Sequence, residues 1–160
     1  MKQTSRINNR STRLAIVALL LASLLTGCTV FDLFSEEAMS NSANADVEFV
    51  RAVETGDGMW TFHVTVRHPD TGWDDYADGW DVVLPDGTVV KPDSESPFTR
   101  LLLHPHETEQ PFTRSQSGII IPSDTTTIIV RAHDLVDGFG GQEIVVDLTV
   151  DSGDGFSVER

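Results

Sequence analysis

From Asp46 onward, apolar and polar residues alternate with a period of two. Trp60, Phe62, Val64 and Val66 are interleaved with Thr61, His63, Thr65 and Arg67. Ile128, Val130 and Ala132 alternate with Ile129, Arg131 and His133, and Ile144, Val146, Leu148 and Val150 repeat the pattern. Successive side chains of an extended chain point to opposite faces, so the alternation predicts strands with one buried face. Gly56-Asp57-Gly58, Pro85-Asp86-Gly87, Pro122-Ser123-Asp124 and Gly140-Gly141 supply turns between them. Seven strands are predicted, at 46–54, 59–68, 79–84, 88–104, 111–121, 126–133 and 142–150. The fourth carries an excursion from Pro92 to Pro97. No long amphipathic helix is predicted in this region. The expected fold is all-β, an immunoglobulin-like antiparallel sandwich over residues 46–150, followed by a polar tail at 151–160.

The N-terminus follows a different pattern. Lys2, Arg6, Arg10 and Arg13 precede an apolar run from Leu14 to Leu25, interrupted only by Ser23. Those 12 residues fall short of the roughly 20 that a spanning helix needs. A basic leader, a short apolar segment and small residues before a cut are the marks of a signal peptide. Leu25-Thr26-Gly27-Cys28, which holds the chain's single cysteine, resembles the lipobox of bacterial lipoproteins. The resemblance implies that residues 1–27 are removed and that the Cys28 sulfur carries a diacylglycerol. Residues 28–45, rich in Ser, Asn and Ala, are then a lipidated tether. The expected location is the cell envelope, on the periplasmic face of the outer membrane where the host has two membranes, because Thr29 follows Cys28.

Charge narrows the partners. All 25 acidic residues but only seven of the 11 basic ones lie after Gly27, which leaves the mature chain at −18. Nucleic acid is excluded as a partner, because phosphate binding needs clustered Lys and Arg. Anionic head groups would also repel such a chain, so the expected membrane partner is reached through the lipid anchor. A further protein or small ligand is unspecified. The acidity itself speaks first for solubility, and secondarily for a saline habitat or divalent cations.

Candidate chemistry gathers in three connections: His68 to Trp80, Leu103 to Pro111, and His133 to Gly141. With seven strands, these three lie at one end of a sandwich. His104 and His106, two apart in an extended segment, can share a side, and His133 and His68 are the further candidate ligands. Neutral imidazole suits zinc or copper. Asp70, Asp74, Asp75 and Asp78 offer the hard oxygens that calcium prefers, although their spacing matches no helix–loop–helix calcium motif. The alternative for these side chains is structural, tying loops together by hydrogen bonds. Trp73, Asp74, Tyr76, Glu107, Glu109, Arg114 and Asp134 are candidate ligand-binding residues, with Trp73 the aromatic ring expected to be exposed. Arg114 is expected to pair with Glu107 or Glu109.

No Gly-x-Ser-x-Gly elbow, His-Glu-x-x-His or phosphate-binding glycine loop is present. The pattern therefore favours a binding or interaction domain over an enzyme, with a carboxylate hydrolase as the remaining enzyme class and a metal-binding accessory protein as the alternative. Trp73-Asp74-Asp75-Tyr76-Ala77-Asp78, Leu103-His104-Pro105-His106-Glu107, Gln110-Pro111-Phe112-Thr113-Arg114 and Ala132-His133-Asp134 together resemble a family of uncharacterised exported bacterial proteins, over about residues 47–148. Its members run the fourth strand without the excursion, which favours seven strands. The resemblance carries no activity with it.

Overall fold

The computed structural model describes residues 44–160, and among these there is no helix. The strands are β1 (Asp46–Gly56), β2 (Met59–Arg67), β3 (Ala77–Val83), β4 (Val89–Val90), β5 (Arg100–Leu101), β6 (Phe112–Ile120), β7 (Thr127–Asp134), β8 (Ile144–Asp147), β9 (Ser152–Gly153) and β10 (Phe156–Glu159). One sheet has the order β6-β2-β1-β10-β9, the other β4-β3-β7-β8, with β5 also paired to β3. Neighbours are antiparallel except β1 and β10, which run parallel. The all-β sandwich is therefore present. Cys28 and residues 1–43, including the expected signal peptide and most of the tether, lie outside the described residues.

The period-two pattern decides which residues meet between the sheets. In β2 the inward series Trp60, Phe62, Val64 and Val66 is buried, and in β7 so are Ile128, Val130 and Ala132. In β1, Val47 and Val50 both point inward although their parity differs. A register shift between Val47 and Phe49 absorbs the extra residue, as a β-bulge does.

The predicted fourth strand is one interrupted edge. β4 pairs Val89 and Val90 with Val83 and Val82, and β5 pairs Arg100 and Leu101 with Trp80 and Gly79. Thr99 fills the gap. Its hydroxyl accepts from the Val82 N–H at 2.8 Å and donates to the Val90 carbonyl at 2.5 Å, while its own N–H donates to Asp81 Oδ1 at 3.1 Å. The ladder keeps its hydrogen bonds although the chain leaves it. The returning loop lays the Phe98 ring over Gly79, where a Cβ would lie 2.2 Å from a ring carbon.

Two expectations about the domain's limits are corrected. Residues 151–160 are not a tail: β9 and β10 form a hairpin that extends the first sheet, and Phe156 and Val158 are buried. Val50 pairs with Phe156, and its N–H donates to the Gly155 carbonyl at 2.9 Å, so this hairpin closes the free edge of β1. At the other limit, Ala45 is already in the core, and Gly141 packs so closely that a Cβ there would lie 2.1 Å from the Ala45 carbonyl oxygen.

Candidate functional site

The inward series of β2 and β7 each continue one position beyond their last apolar residue, and both continue into a polar side chain. After Val66 comes His68; after Ala132 comes Asp134. These two lie on opposing sheets, are fully buried, and meet: His68 Nε2 and Asp134 Oδ2 are 2.8 Å apart. The other ring nitrogen, Nδ1, lies 2.7 Å from Oδ1 of Asp70, two residues on and again on the inward side. Asp70 Oδ1 also accepts from the Ala77 N–H at 3.2 Å, and Oδ2 accepts from the His106 N–H at 2.6 Å. Asp134 Oδ1 accepts from the N–H groups of Val136 at 2.6 Å and Asp137 at 3.4 Å. Gln110 adds a tie, accepting from the His68 N–H at 3.0 Å and donating to the His106 carbonyl at 3.3 Å.

Three connections thus converge on one buried imidazole. A neutral imidazole has one N–H and one lone pair, yet here both nitrogens face carboxylates. One neutral ring cannot donate to both carboxylates, so one of these two contacts calls for a further positive group. Beside it, Asp75 Oδ1 lies 3.7 Å from His68 Nε2, shielded from solvent and without a hydrogen-bond partner, while the rest of its side chain reaches the surface.

The expected ligand set of His104, His106 and His133 does not form. His133 is one residue before Asp134 on β7, so its ring projects from the opposite face of the sheet. There its Nδ1 meets Asp78 Oδ1 at 2.6 Å, and its ring packs against Phe98 and Phe139. His104 and His106 are adjacent, with ring centroids 4.5 Å apart, but His104 Nδ1 turns to the Pro105 carbonyl at 3.0 Å. His106 stacks on Phe112 at 3.7 Å, with both ring nitrogens buried and without hydrogen bonds. Burial, with smaller contributions from the neighbouring Arg114 and His104, holds the His106 pKa below the ordinary imidazole value. His68 belongs with Asp134, not with the other histidines. Nor do Asp70, Asp74, Asp75 and Asp78 surround one point as calcium would require. Asp70 is committed to His68 and two backbone N–H groups, Asp78 to His133, and Asp74 is exposed.

The remaining candidates form the rim. Trp73 is 67% exposed and rests edge-on against Tyr76, with centroids 6.0 Å apart. The Tyr76 carbonyl accepts from the Leu135 N–H at 3.1 Å, which ties this loop to the one after β7. Glu107 is exposed beside Gly72. Arg114 pairs with Glu109 at 3.3 Å and lies over the Phe112 ring. The sequence places the convergence at this end and offers Asp70 and Asp75 to calcium, but it does not pair either with His68. The signal was present: in β2 the inward series Val64, Val66 runs on through His68 to Asp70 with unbroken parity.

No protein-family model matches the chain, and no solved structure does. The chain is 42% identical over 103 residues to a protein of Halomicrobium mukohataei named "Putative lipoprotein". The match covers 64% of this chain and 47% of that protein, so the chain spans about half the length of the curated relative it matches.

Proposed function

We propose that this protein is a lipid-anchored domain of the cell envelope that binds a partner at its histidine- and aspartate-rich end. The anchor reading rests on Leu25-Thr26-Gly27-Cys28 behind a short apolar run, and the relative's name supports it. The diacylglycerol on the Cys28 sulfur, with a further acyl group on the new α-amino group, would hold the chain firmly, whereas one chain binds only marginally. Among the described residues no helix is long and apolar enough to cross a membrane. Thr29 after Cys28 suits the outer membrane where the host has one.

One observation carries the binding reading: an exposed Trp73 on a loop clamped beneath by the fully buried His68, Asp70 and Asp134 side chains. Loops held by a rigid scaffold are where binding residues concentrate. Strand pairing β6-β2-β1 in one sheet and β4-β3-β7-β8 in the other supports an immunoglobulin-like reading of that scaffold. Exposed Asp74, next to Trp73, and exposed Glu107, beside Gly72, suit a partner with cationic groups, such as a basic protein segment.

Two measurements test this. Wild type should partition into detergent and Cys28→Ala into the aqueous phase; aqueous partitioning of both removes the anchor. A photo-crosslinking residue at position 73 should capture a partner in the intact envelope, whereas one at position 86, in the turn at the opposite end, should not. Equal yields at both positions would show that this end has no special role.

A further inference from the structure

We propose that His68, Asp75 and Asp134 form a divalent-cation site, of the kind that takes zinc, at the base of the loop-rich end. The proposal deepens the reading of that end as the functional one and rests on it. One ligand atom from each of the three residues lies within 4.8 Å of the other two. They come from two segments far apart in sequence: His68 and Asp75 from the connection between β2 and β3, and Asp134 from the end of β7. Zinc bonds nitrogen and carboxylate oxygen at about 2.0–2.2 Å, which sets tetrahedral ligand atoms roughly 3.3–3.5 Å apart. The separations of 2.8 Å and 3.7 Å from His68 Nε2 bracket that spacing.

The surroundings are built as a metal centre requires. A ligating histidine usually donates its other N–H to a carboxylate, which fixes the ring and raises its basicity. Asp70 Oδ1 does this for His68 Nδ1 at 2.7 Å, and is itself held by the backbone N–H groups of Ala77 and His106. Asp134 is oriented in the same way, its Oδ1 held by two N–H groups and its Oδ2 left facing Nε2. Asp75 Oδ1 is a further pointer: shielded from solvent and without a hydrogen-bond partner, it lies 3.7 Å from His68 Nε2, the same atom that faces Asp134. Leaving such a group unsatisfied is costly, and a cation would satisfy it. The ion would sit between Nε2 and Asp134 Oδ2, within reach of Asp75 Oδ1. One nitrogen and two carboxylate oxygens from the protein leave a fourth position for water or a donor group of the partner. The set is too small and too nitrogen-rich for calcium, which prefers six to eight oxygens. Asp75, whose side chain is 34% exposed, marks the way in.

The test uses the lipidated chain in detergent without a histidine tag, titrated calorimetrically with zinc alone. Wild type should bind one equivalent and gain thermal stability with it, because a ligand that binds only the folded state stabilises it. Asp75→Asn should weaken zinc by more than about 10-fold while leaving the metal-free melting temperature nearly unchanged. Asp74→Asn, the same charge change one residue away, and His104→Ala should bind zinc as wild type does. No zinc binding by wild type, or equal weakening by Asp75→Asn and Asp74→Asn, would overturn the site. Position-specific crosslinking at residue 73 is read separately. If it persists while zinc fails, the cation site falls and the binding end stands.

Discussion

Replacing Asp70 should be among the most damaging single changes at this end. Its carboxylate serves three donors at once: His68 Nδ1, the Ala77 N–H and the His106 N–H. Each buried donor left without a partner costs about 1–3 kcal/mol. Not all three penalties are paid in full, since water enters the space a truncation leaves. Removing one partner from a buried ionic pair costs about 3–5 kcal/mol, and Asp70→Ala is expected in that range. Asp70→Asn separates charge from shape. Its amide oxygen can still accept from His68 and Ala77, but its NH₂ group must then face the His106 N–H, donor against donor. That change should cost about 1–3 kcal/mol. Asp74→Ala, at an exposed position of the same loop, should stay within about 0.5 kcal/mol of wild type. Urea unfolding followed by tryptophan fluorescence gives all three values. A loss below about 1 kcal/mol for Asp70→Ala would refute the idea that this carboxylate braces the loops. Equal losses for Asn and Ala would show that charge matters here and hydrogen-bond direction does not.

Phe156→Ala should destabilise by about 3–5 kcal/mol, as for a core phenylalanine, whereas Phe49→Ala, 41% exposed on β1, should cost much less; similar losses would contradict the burial of β10. His106 gives a pH dependence. Its folded-state pKa is lowered, chiefly by burial, with Arg114 and His104 adding and Asp70 and Glu109 opposing. The unfolded ring therefore takes up a proton first, and the stability it contributes is lost as pH falls below about 6.5. Urea midpoints between pH 7.5 and 5.5 should fall less in His106→Phe than in wild type, and parallel slopes would discount this residue as the cause.

The chain's own pattern was enough to specify strands and their inward faces. Alternation in β2 and β7 reflects the two-residue repeat of extended chain, a local property that needs no tertiary information. The interrupted fourth strand was legible for the same reason, with prolines marking where the chain leaves the ladder. The role of Asp151–Arg160 was not legible. An acidic, glycine-rich stretch with only Phe156 and Val158 to bury reads as solvated, and its value as a strand comes from the open edge of β1, far away in sequence. The site divides in the same way. Sequence placed three connections at one end, because strand count and antiparallel order dictate it. Which side chains meet there depended on parity at the strand ends. His133 and Asp134 are adjacent in the chain but project from opposite faces of one sheet, so Asp134 reaches His68 and His133 cannot. That one-residue difference, set by where β7 pairs with β3, moved the centre from a cluster of histidines to a buried histidine among aspartates.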